Sequence, residues 1–74
     1  MTIEQAARTL REMYEHGKAR HEAKTHVHLF GVRHADELDG LSLKEVAIRA
    51  GLPESYQTEI YNGVKLARYV QERS

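Results

Sequence analysis

Residues 41–63 read LSLKEVAIRAGLPESYQTEIYNG, and the fold turns on how this stretch is read. Ser42 and Glu45 form a capping box, in which a serine hydroxyl and a glutamate three residues on satisfy the free N–H groups at a helix start. Leu43, Val46, Ala47 and Ala50 then recur at spacings of three and four, which predicts a helix over 43–50 with one apolar face. Gly51-Leu52-Pro53 breaks that pattern. Glycine supplies a left-handed turn, and proline is tolerated in the first turn of a new helix, where its missing N–H has no intrahelical partner. A second helix is therefore expected from about Pro53 to Tyr61, burying Tyr56 and Ile60, with Asn62-Gly63 as its stop. Two helices joined so tightly must cross at close range. Ala47 has to be small beneath the second helix, while Val46, Ala50, Leu52 and Ile60 fill the wedge between the two.

Upstream, Thr2 with Gln5 is another capping box, and Ile3, Ala6, Ala7, Leu10, Met13 and Tyr14 follow a helical period. An amphipathic helix is predicted over 1–17, with Gly17 ending it. Residues 18–25 are polar and aperiodic and read as a connection. His26-Val27-His28-Leu29 alternates as a strand would, but Val27, Phe30, Gly31, His34, Ala35 and Leu38 keep a helical period for three turns. The longer pattern predicts a helix over 27–38, and Leu29 and Val32, which lie off its stripe, point to burial on more than one side or to a partner. Asp39-Gly40 marks a turn. Beyond the central stretch, Val64, Leu66, Ala67, Tyr69 and Val70 predict a last helix over 64–73. The expectation is one all-α domain over residues 1–74, a small bundle of about five helices.

Composition narrows what such a domain can do. At 74 residues the chain buries only ~60% of its unfolded surface, which leaves no room for a large internal active site. It has no cysteine, hence neither disulfides nor thiolate metal sites, and helix packing must carry the stability. Residues 1–5 carry acid and amide where a secretory signal carries a basic stretch, and no apolar run is long enough to span a bilayer, so a cytoplasmic protein with no membrane partner is expected. Eleven basic residues balance eleven acidic ones, which argues against strong non-specific binding to nucleic acid. The segment from His16 to His34 is locally cationic, with Lys18, Arg20, Lys24 and Arg33 against Glu22, and it holds all five histidines.

The residues of the central stretch resemble the phage repressor and Cro type of helix-turn-helix. Leu41-Ser42, Val46-Ala47, Ala50-Gly51-Leu52, Ser55-Tyr56, Ile60 and Gly63 carry the likeness over about 23 residues, with 27–38 in the place of the preceding helix. The resemblance implies a DNA-binding domain, a small transcriptional regulator acting on double-stranded DNA and paired as a homodimer on two half-sites. It puts Glu54, Ser55, Gln57 and Thr58 against base edges and Lys44 and Lys65 on phosphates, with Arg49, Arg68 and the cations of 18–24 as further anchors. Gln57 departs from the family's aliphatic residue, a role Tyr56 is then expected to fill. The second motif helix carries Glu54 and Glu59 and no lysine or arginine, a poor surface for phosphates. The alternative is the same fold used as a protein-protein interaction or dimerisation module, with Tyr61 and Tyr69 as anchors.

Other chemistry is less well supported. His26 and His28 would converge on a metal only from a strand; from a helix they diverge, so His34 is expected at the core edge, the other histidines in solvent, and no metal is assigned. The carboxylate pairs Asp36-Glu37 and Glu54/Glu59 sit in no apolar pocket that the pattern shows, and Ser42 and Ser55 read as capping or surface hydroxyls. Neither an enzyme nor a cofactor is expected. The four tyrosines are expected mainly at the core or its edge.

Overall fold

The structure, a computed structural model, describes residues 1–70. Among them are four helices and no strand: α1 (Ile3–Ala19), α2 (Ala23–Arg33), α3 (Leu43–Arg49) and α4 (Tyr56–Leu66). The all-α class stands, with four helices in place of about five.

α1 starts as its capping box dictates. The Gln5 N–H donates to Thr2 Oγ1 at 3.1 Å and the Thr2 N–H to Gln5 Oε1 at 2.9 Å. Its stripe of Ala6, Ala7, Leu10 and Met13 is buried. Gly17 does not end the helix. It is buried in the last turns of α1, where a β-carbon would run into the His26 side chain and the Glu22 carbonyl, so its role is close approach to α2. The left-handed residue is His21, at φ 59°. The connection shrinks to Arg20–Glu22, and α2 begins four residues earlier than the period of 27–38 suggests.

α2 also ends earlier, at Arg33, and Leu38 reaches the core through turns instead of continuous helix. His34 packs against the Phe30 ring, with centroids 5.4 Å apart, at the core edge as expected. Its Nδ1 meets Glu37 Oε1 at 2.7 Å, and this hydrogen bond holds the Glu37 carboxyl below its ordinary range. Leu29, off the stripe, is half-buried against the core.

Phe30, Leu10, Ile60, Val27 and Val46 form the centre of one core drawn from all four helices. Among the described residues no polar or charged side chain is buried, so the core is held by non-directional apolar contact. α2 lies between α1 and α4, and α3 bridges α1 and α4. The tightest packing is between α2 and α4: a β-carbon on Gly31 would meet the Ile60 carbonyl, and one on Gly63 the His28 carbonyl. The two backbones touch.

That contact explains the main correction. Asn62-Gly63 does not stop the second motif helix, because Gly63 is buried against α2 as an interior residue of α4. The expected helix over 64–73 is thus partly the continuation of α4, followed by turns over 67–69; its residues 71–73 lie outside the described ones. Among the described residues no helix is long and apolar enough to cross a membrane.

Candidate functional site

The Ser42 hydroxyl accepts from the Glu45 N–H at 3.2 Å and opens α3. Ala47 is fully buried and Ala50 closes the helix. Gly51, at φ 80°, then turns the chain: its N–H donates to the Ile48 carbonyl and that of Leu52 to the Ala47 carbonyl, both at 3.0 Å. This paired closure leaves Leu52 buried against the helix it has just left. From Pro53 the chain coils through three tight i→i−3 bonds, Tyr56 to Pro53, Gln57 to Glu54 and Thr58 to Ser55, before α4 proper begins at Tyr56. The chain begins to coil at the proline, but α4 itself starts three residues later than expected, with Glu54 and Ser55 in the tight turn that precedes it. Ser55 makes no capping bond with its side chain and is an exposed hydroxyl.

With Ile60 and Gly63 buried and Tyr56, Val64 and Ala67 half-buried, the inner face of α4 is defined, and so is the outer. Thr58, Tyr61, Asn62 and Lys65 are exposed on the opposite side, spaced three and four apart. Gln57 and Glu59 lie on the two flanks, both half-buried. Gln57 and Leu43, with Thr58 and Tyr61, line a groove of about 350 Å³ beside α3. Tyr56 takes the packing place left by Gln57: it is half-buried against the core, its ring 6.0 Å from that of Tyr14.

The charges pair off around this face. Lys44 Nζ stands 3.8 Å from Glu54 Oε2 across the turn, and His28 Nδ1 lies 3.2 Å from Glu59 Oε2. His26 and His28 diverge on α2, His26 facing His16 on α1. Lys65 lies over the Tyr61 ring, with Nζ 5.4 Å from the centroid. Arg49 is placed elsewhere. It faces α1, bonded to Glu4 and to Glu45, and is no neighbour of the outer face of α4. Of the residues expected from the sequence, Glu54, Ser55, Thr58 and Lys65 are exposed on or beside α4, Lys44 joins them across the turn, and Gln57 is half-buried on the flank.

Asn62 is an addition to this face, and Tyr61, expected at the core edge or as the anchor of a protein interface, joins it. Tyr61 is 53% exposed instead of packed at the core edge, and Asn62 was read as part of a helix stop. The available signal was the apolar period running on through Ile60, Val64 and Ala67, which places 61, 62 and 65 outward. Tyr69 is also exposed, at 82%, whereas Tyr14 and Tyr56 are at the core edge as expected.

No curated protein and no solved structure matches the chain. A family model described as an HTH-like domain matches residues 2–73, so α1 and α2 fall within the matched unit together with the motif. A helix opened by the Ser42 cap, a left-handed glycine after it and a second helix with an open outer face agree with that match, and the chain belongs to the HTH-like domain family.

Proposed function

We propose that this chain is a DNA-binding helix-turn-helix domain, a small transcriptional regulator that presents the outer face of α4 to the major groove in the manner of the phage repressor and Cro type. The observation that carries the reading is the outer line of α4. From Thr58 through Tyr61 and Asn62 to Lys65 it holds no carboxylate, and Arg68, exposed in the turn after the helix, adds a second cation. The carboxylates that weigh against DNA in the sequence are off that line. Glu54 has Lys44 as counter-ion, and Glu59, on the flank, has His28 when that imidazole is protonated. Paired acids repel phosphate far less than free ones. Lys65 and Arg68 are the phosphate anchors of this reading, and Ser55 and Thr58 reach base edges.

A titration of the 15N-labelled chain with duplex DNA at low salt tests it. Shifts concentrated at Ser55, Thr58, Tyr61, Asn62 and Lys65 are expected, and Lys65→Ala should lower the slope of log affinity against log salt by about 1. No shifts at low salt overturn direct DNA binding.

The exposed apolar side chains Leu66, Tyr69 and Val70, just past the end of the reading face, favour a second role as a dimer contact or protein-interaction surface. Sedimentation over a range of concentrations with and without DNA separates the two. A dimer formed without DNA, together with no DNA shifts, supports the interaction module alone.

A further inference from the structure

We propose that Asn62 reads an adenine, so that the half-site recognised by α4 is fixed at one position by this side chain. The inference rests on the DNA-binding reading above. Asn62 is exposed on the outer line of α4, one turn after Thr58, and its amide makes no hydrogen bond to any described residue. Asparagine is a poorer helix former than alanine, and here it stands inside an eleven-residue helix with no capping or packing duty.

Its chemistry is selective. A primary amide offers a donor and an acceptor side by side, which match the N7 acceptor and the N6 amino donor that adenine presents in the major groove. The other outer residues lack that pairing. Lys65 carries donors only and lies against Tyr61, the Tyr61 and Thr58 hydroxyls serve equally as donor or acceptor, and Gln57, the other amide of α4, is half-buried on the flank of the helix. Register follows from the helix. Four residues advance α4 by about 6 Å, close to two base-pair steps of about 3.4 Å, so Thr58 meets the duplex about two steps from the adenine. There its methyl group suits a thymine methyl.

The test is selection of duplexes from a randomised library with the full chain, followed by affinity measurements on the selected sequence. One invariant adenine is expected. Asn62→Ala, which by helix propensity should fold at least as well, should lose the preference at that position alone and bind the selected duplex about 10-fold or more weakly, with non-specific binding unchanged. A duplex carrying 7-deazaadenine there, which lacks the N7 acceptor, should weaken the unmodified chain and leave Asn62→Ala unaffected. A selected motif that Asn62→Ala binds with undiminished preference overturns the adenine contact and leaves DNA binding standing. If no duplex is enriched at all, both readings fall.

Discussion

Single residues in this protein are constrained most where two backbones meet. Gly63 is inside a helix, where propensity alone makes alanine better by about 1 kcal/mol. Its neighbour sets the opposite sign, because a β-carbon there would run into the His28 carbonyl of α2, and backbone cannot step aside as a flexible side chain can. Gly63→Ala should therefore destabilise the domain by about 1–3 kcal/mol, the usual cost of overpacking, read as a lower urea midpoint with an unchanged m-value. A neutral or stabilising result would mean that the helices do not touch there. The same residue shows why part of the site was hidden in the sequence. After asparagine, a glycine reads as a helix stop, and the reading changes only once α2, about thirty residues upstream in the chain, is known to press against it. Asn62 reads as part of that stop, which hides its outward place on α4. Gly51 was legible because its duty is local: a left-handed turn between a capped helix and a proline needs no knowledge of distant packing.

At the scale of elements, capping chemistry located helix starts well and helix ends poorly. Thr2 and Ser42 both accept the bonds that their spacing predicts, since a cap acts over three residues and is written within them. The starts of α2 and α4 have no side-chain cap, and those are the starts displaced from expectation. α3 is the most exposed to loss of its cap, because seven residues leave few intrahelical bonds to hold it. Ser42→Ala should cost about 1 kcal/mol of stability and speed amide exchange over 43–49 more than over α1. Equal acceleration in both helices would show that α3 opens only with the whole domain.

The whole molecule has one small core and a correspondingly thin margin. At 0.05–0.15 kcal/mol per residue a chain of this length has a stability of roughly 4–11 kcal/mol. Leu10, fully buried on α1 in the core that the motif shares, should cost about 2–5 kcal/mol as Leu10→Ala, a large part of that total. Thermal unfolding followed by circular dichroism should show α1 and the motif helices melting in one transition at a lower temperature; separate transitions would show that α1 is an appendage. The helical class and the crossing of α3 and α4 were legible because they rest on repeated apolar spacing. The path of residues 34–40 and the length of α4 depend on contacts between distant segments. Among those contacts, the meeting of Gly31 and Gly63 separates pose from message. Backbone contact with α2 sets the approach of α4 from its inner face, and Thr58, Tyr61, Asn62 and Lys65 are exposed on the opposite one. The outer face is free to be rewritten residue by residue, so one rigid scaffold is able to diversify what it recognises without refolding.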